Sequence, residues 1–225
     1  MFKAIFAALT AMTLGSSTLA QADKADTPRW SIAVHGGAGT INREQITPEQ
    51  DRTIRAVLAK ALAAGSQILE DGGTAIDAIT ATIMILEDDP NFNAGKGAVF
   101  TWDRTNELDS SIMDGSDLSA GAVAGINGTK NPILLARAVK DHSPHVMLSG
   151  EGANQFSREQ QLDQVSSDYY ATPYRLQQIE DLLAEKVSAA DVDYKFGTVG
   201  AVARDSQGHM AAGTSTGGMT GKRWG

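Results

Sequence analysis

The chain has 225 residues, 27 acidic against 19 basic side chains, a net charge of −8 and no cysteine. At this length about 70–75% of the unfolded surface is buried in one domain, so a single core suffices. The acidic balance, with Lys and Arg scattered, argues against a nucleic-acid partner and leaves small polar substrates, while the lack of cysteine excludes disulfides and thiolate metal sites.

Lys3 precedes an apolar run over residues 4–14, and small residues then lead to Ala20-Gln21-Ala22. That is the charged, apolar and cleavable order of a secretory signal, and the run is too short to span a bilayer. Residues 1–22 are therefore expected to be a signal peptide. The mature chain would start near Asp23, free of the membrane once the signal is removed, and be periplasmic or secreted.

After a polar lead-in, residues 31–34 read as a strand that His35-Gly36-Gly37-Ala38-Gly39 breaks with three glycines. This is no dinucleotide fingerprint, since the spacing would require glycine at Asn42. Thr47-Pro48-Glu49-Gln50 is a capping box with proline at the first helical position, and the helix it starts carries Ile54, Val57, Leu58, Ala61, Leu62, Ile68 and Leu69 on one stripe. Asp71-Gly72-Gly73 ends it. Thr74 and Asp77 repeat the capping pattern before a more apolar helix through Leu86, and the two helices are expected antiparallel on one sheet face.

Residues 87–97 form a turn-rich stretch with acids at its head, which by itself reads as a solvated connection. Lys96 is no phosphate-loop lysine, because Gly97 stands where a hydroxyl residue is needed. Residues 98–102, 108–113 and 120–126 read as three strands. Asp109 and Asp114 resemble a paired acid and base, but turn carboxylates commonly bond backbone amides, and a structural role is expected for both. Asn131-Pro132 starts a helix through Val139, residues 143–148 lead into a short strand, and a last helix covers residues 174–185. Pro144 between His142 and His145 precludes a ligand-bearing helix, so no metal site is expected there. Residues 186–196 read as an exposed linker.

The informative stretch is Gly197-Thr198-Val199-Gly200-Ala201-Val202-Ala203, a Gly-Thr pair joined to a short apolar strand that ends in the turn Asp205-Ser206-Gln207-Gly208. A threonine hydroxyl is a weak nucleophile without an adjacent base, and the nearest possible base is the residue's own α-amino group, with a pKa near ~7.7–8. Only a break between Gly197 and Thr198 exposes that group. A second strand, residues 209–215, forms a hairpin with the first and returns Thr216 to the neighbourhood of Thr198.

Here the chain resembles the plant-type asparaginase and isoaspartyl peptidase family of N-terminal nucleophile hydrolases. The resemblance is carried by H-G-G-A-G at 35–39, N-A-G at 93–95, E-L-D-S-S-I-M-D-G at 107–115, G-A-V-A-G at 121–125, E-G-A at 151–153, G-T-V-G-A-V-A at 197–203 and T-S-T-G-G-M-T at 214–220, and it runs from about Trp30 to Lys222. It implies an α/β (α+β) fold, a four-layer αββα sandwich, cut into an N-terminal subunit of residues 23–197 and a C-terminal one of which residues 198–225 are the incomplete start. The implied chemistry is autocatalytic scission between Gly197 and Thr198, then hydrolysis of L-asparagine and β-aspartyl dipeptides to release aspartate. Thr198 would be the nucleophile, Thr216 would lie beside its amine and hydroxyl, Asn93 would donate to the oxyanion, and Gly217, Gly218 and Thr214 would line the substrate. His35 would be a structural hydrogen-bonding residue. No cofactor is implied beyond a structural sodium ion held by backbone carbonyls of the 87–96 loop. The partners would be the small substrates and a second cleaved protomer in a homodimer.

The departures lie at the end of the sequence. The family follows its threonine-rich segment with G-R-V-G-D, which grips the substrate's α-carboxylate and α-amine, and later with a Thr-Gly pair that completes the oxyanion site. This chain stops at Arg223-Trp224-Gly225. About a third of a typical member, the C-terminal part of the fold, is expected to be missing, from a fragmentary sequence or a truncated product. A glycosylasparaginase-like amidase of the same fold and an inactive remnant are the alternatives; a serine hydrolase is the weakest, for want of a G-x-S-x-G elbow.

Overall fold

A computed structural model describes residues 30–37, 46–185 and 197–224. The expected signal segment, Ala38 and Gly39 of the glycine motif, and the 186–196 linker lie outside them.

The sheet begins with β1 (Ser31–His35), and the capping box forms as the sequence predicts: Thr47 Oγ1 accepts from the Gln50 amide at 3.2 Å, and Gln50 Oε1 accepts from the Thr47 amide at 2.9 Å. This starts α1 (Pro48–Glu70), whose close crossing of α2 (Ala75–Glu87) depends on Gly65, where a Cβ would meet Thr82 Oγ1 and Ile32. Leu62 is 37% exposed, outside the buried stripe set by Ala61, Gly65 and Leu69. α2 is buried along most of its length, as its apolar composition predicts.

Strands β2 (Leu108–Asp114) and β3 (Ala120–Ile126) form an antiparallel hairpin, followed by α3 (Pro132–His142), β4 (Met147–Ser149) and α4 (Gly150–Glu159). After a 3-10 turn at Ser167–Tyr169 comes α5 (Pro173–Glu185), and the chain closes on the hairpin β5 (Val199–Arg204) and β6 (Met210–Thr216). Among the described residues one mixed six-stranded sheet results, in the order β1-β5-β6-β2-β3-β4, with β3 and β4 parallel and the other neighbours antiparallel. The last hairpin thus enters between β1 and β2, placing Thr198 and Thr216 near the middle of the sheet.

Helices α1, α2 and α3 cover one face, against Ile112, Val123, Val199, Ala201 and Ala211. On the opposite face Val202 is 53%, Met210 64% and Met113 43% exposed. The described residues therefore form a mixed α/β fold with five helices and one sheet.

Three expectations need correction. Residues 98–102 are not a strand: the Ala98 and Val99 carbonyls both take the Asn106 side-chain amide at 3.0 Å, and the Trp102 amide donates to the Lys222 carbonyl, so the backbone pairs with loops. Residues 87–97 are not a solvated connection, since Glu87, Phe92, Asn93 and Ala94 are 2% exposed or less. Finally, residues 150–159, which carry few apolar residues to mark a helical period in the sequence, form helix α4.

Candidate active site

The hairpin turn fixes where the key threonines sit. Asp205, buried in that turn, accepts from the amides of Gln207 and His209 at 3.0 Å each and from the Ala75 amide at the start of α2 at 3.3 Å. This anchors the β5–β6 register, in which Val199 pairs with Ser215. Side chains alternate along a strand, so Val199 and Ser215 face the helices while Thr198 and Thr216 face the other way.

Thr198 precedes the first residue of β5, and its hydroxyl donates to Thr216 Oγ1 at 3.0 Å. Three groups lie 2.8 Å from the Gly197 carbonyl oxygen: Asn93 Nδ2, Thr216 Oγ1 and the Thr198 hydroxyl itself. A hydroxyl carries one proton. When Thr216 donates to Gly197, its lone pairs accept from Thr198 and from the Gly218 amide at 2.9 Å, and a directed chain runs from Thr198 through Thr216 to the carbonyl.

Asn93 is 2% exposed and fully committed: Nδ2 donates to Gly197 and to the Gly218 carbonyl at 2.7 Å, and Oδ1 accepts from the Val99 amide at 2.9 Å. Its backbone carbonyl takes the Gly217 amide at 3.2 Å. Gly217 has no room for a side chain, because a Cβ would sit 2.6 Å from Asn93 Oδ1 and 2.9 Å from the Val99 nitrogen. Gly218 has φ +77°, a conformation L side chains rarely adopt.

Of the residues singled out from the sequence, Gly197, Thr198, Thr216, Asn93, Gly217 and Gly218 are brought together. Thr214 stands apart from them: its hydroxyl is exposed and pairs with Ser111 Oγ at 3.0 Å on the uncovered sheet face. His35 lies opposite Gly200, where its Nε2 occupies the space a Cβ would need. Asp109 and Asp114 bond backbone amides, of Gly125 at 2.8 Å and Ser116 at 2.9 Å. Among the described residues no group of three or more His, Asp or Glu could hold a metal ion.

Two groups near the site escaped the sequence reading. Glu87 is wholly buried at the end of α2; its Oε1 accepts from the Ile133 amide at 2.9 Å and so caps α3, a task the Asn131 side chain does not perform. Burial pushes its carboxyl up to about 8, against the Ser215 hydroxyl and the Ile133 amide, which favour the charged form. A signal did exist, since Glu87 falls four residues after Ile83 on the apolar stripe of α2. Lys222 is the second, with its ammonium 3.3 Å from Asp109 Oδ2.

The family model described as Asparaginase matches residues 28–225. Among curated proteins, the chain is 46% identical over 198 residues to an isoaspartyl peptidase of Salmonella typhimurium, covering 85% of this chain and 63% of that protein. It is 46% identical over 200 residues to an isoaspartyl peptidase of Escherichia coli (85% and 62%), and 41% identical over 203 residues to an isoaspartyl peptidase/L-asparaginase of Rattus norvegicus (87% and 60%). The chain thus spans less than two thirds of the length of these relatives. A family match over almost the whole sequence, together with donors converging on a Gly-Thr bond, establishes that this chain belongs to the asparaginase family.

Proposed function

We propose that the protein is an autoprocessing threonine amidohydrolase that cleaves L-asparagine and β-aspartyl dipeptides and releases L-aspartate. The observation that carries this reading is the Gly197 carbonyl oxygen, which meets Asn93 Nδ2 and Thr216 Oγ1 at 2.8 Å. Donors aimed at the oxygen of a bond about to be attacked stabilise the charge that develops there.

In the first reaction Thr198 Oγ forms a bond to the Gly197 carbonyl carbon while its proton passes to the departing amide nitrogen. The C–N bond breaks, leaving Gly197 as an ester on Thr198, and water releases the Gly197 carboxylate and a free Thr198 amine. In the second, that amine takes the Thr198 hydroxyl proton and Oγ attacks the side-chain amide of the substrate. Ammonia or an amino acid leaves, and water hydrolyses the β-aspartyl ester. The scissile peptide carbonyl of the uncut chain thus occupies the place the substrate carbonyl later takes, so one set of donors serves both reactions.

Several finer features belong to the same proposal. The uncovered sheet face would pack on a second sheet to give the four-layer sandwich, with residues 23–197 and 198–225 in separate subunits. Gly217 and Gly218 would line the substrate with their backbone, since the places of their side chains are filled by Asn93, Ala98 and Lys222. The pairing of two cleaved protomers and the periplasmic or secreted destination rest on the resemblance and on residues 1–22. A structural sodium ion held by backbone carbonyls of the 87–96 loop, as the resemblance implies, belongs to the same reading; the Pro90 and Phe92 carbonyls, which both pack against Gly97, are the ones that would turn toward it.

The test is aspartate release from asparagine, a β-aspartyl dipeptide and a glycosylated asparagine, with wild type and Thr198→Ala. Release from the first two by wild type alone is expected. Turnover of glycosylated asparagine only, or undiminished turnover by Thr198→Ala, overturns the proposal.

A further inference from the structure

We propose that Lys222 is a positioning residue for this site, clamping the 217–222 turn onto β2 and thereby fixing where Gly218 meets Thr216 and Asn93. The inference rests on the roles given above to Thr198, Thr216 and Asn93.

The Lys222 side chain is only 13% exposed, and its ammonium donates to the Glu107 carbonyl at 3.2 Å and to Asp109 Oδ2 at 3.3 Å, with Glu107 Oε2 at 4.0 Å. A cation buried to this degree is retained by its partners, since removing one leaves an uncompensated charge in a poorly solvated place. The stem of the side chain runs along Gly218: a Cβ there would lie 3.1 Å from Lys222 Cδ and 3.4 Å from Nζ. Gly218 in turn donates its amide to Thr216 Oγ1 and offers its carbonyl to Asn93 Nδ2. Lys222 therefore sits one contact away from both groups that face the Gly197 carbonyl.

Sheet register adds an independent link. Asp109 pairs with Thr216 across β2 and β6, and directly opposite side chains on one face lie about 4.5–5.5 Å apart at Cβ. Thr198, Thr216 and Asp109 thus form a row across three adjacent strands. Asp109 is fixed on its other oxygen by the Gly125 amide, at 2.8 Å. Without Lys222 this row would end in an uncompensated carboxylate beside the oxygen on which negative charge develops. The clamp both holds the turn and balances that carboxylate.

Self-cleavage at Gly197 reads the effect without substrate. Lys222→Met is expected to slow it by roughly ten- to hundredfold, the scale on which a misplacement of about 1 Å acts. Lys222→Arg, which keeps the charge and the reach to Asp109, should restore the rate to within a few fold. Lys222→Met/Asp109→Asn should be no slower than Lys222→Met, because the two residues form one unit. Ile54→Ala on α1, far along the chain from the turn, supplies a destabilised control that keeps the wild-type rate. The proposal is overturned if Lys222→Met cleaves within twofold of wild type, if Lys222→Arg is as slow as Lys222→Met, or if Ile54→Ala slows cleavage as much. A wild-type chain that never cleaves instead overturns the reading of Thr198 on which the proposal stands.

Discussion

Replacing Asn93 by alanine separates the chemistry of the site from its support. The change removes two donors, to the carbonyls of Gly197 at 2.8 Å and Gly218 at 2.7 Å, and one acceptor, for the Val99 amide at 2.9 Å. The lost donor to Gly197 should raise the cleavage barrier by about 2.7–4 kcal/mol, which is roughly a hundred- to thousandfold in rate. The other two bonds bear on stability. Val99 is 2% exposed, and a buried amide without a partner costs about 1–3 kcal/mol, so the variant should melt lower while remaining folded. The assay is the fraction of chain cut at Gly197 against time on a denaturing gel, beside a thermal melt of the same sample. A folded Asn93→Ala chain that cleaves within threefold of wild type would refute the oxyanion role.

Thr216→Val keeps the side-chain shape and removes a hydroxyl that donates to Gly197 and accepts from Thr198 and Gly218; cleavage should slow roughly ten- to hundredfold, and a gel time course reads it. Glu87 makes stability depend on pH. Its folded pKa of about 8 lies above its ordinary value, so its contribution is full below about pH 4.5 and is lost as pH rises through about 8. Glu87→Gln can still accept from Ile133 and donate toward Ser215, so denaturant melts should show wild type weakening across that window and the variant holding level; parallel curves would contradict this. Gly121→Ala would thrust a Cβ into the Ala136 carbonyl and to 2.6 Å from the Lys140 nitrogen, backbone atoms of α3 that cannot swing aside. It should lower stability by at least about 1–3 kcal/mol, as measured by urea unfolding.

The sequence made legible those features that local chemistry dictates. Thr47 and Gln50 cap α1 because a hydroxyl and an amide three residues apart satisfy each other regardless of tertiary context. Val199–Arg204 and Met210–Thr216 pair because two short apolar runs flank a tight turn, and this juxtaposes Thr198 and Thr216. What escaped depends on contacts distant in the chain. The apolar segment 98–102 resembles a strand, yet its carbonyls are claimed by Asn106 and its edge by Lys222. Helix α4, GEGANQFSRE, opens with glycine and carries few apolar residues to betray a helical period. Glu87 reads as the first acid of a solvated loop because its burial is set by α3 and β6, not by its neighbours in sequence. Lys222 and Asp109 are 113 residues apart, and only the β2–β6 register reveals that they share a site.

The central claim is that the Gly197–Thr198 bond gives way and makes Thr198 an N-terminal residue. Intact mass measurement of the protein expressed from its own gene, wild type beside Thr198→Ala, tests it most directly. The account predicts two wild-type fragments, the second beginning with Thr198, and a single uncut Thr198→Ala chain. An unbroken wild-type polypeptide that nonetheless releases aspartate would contradict it.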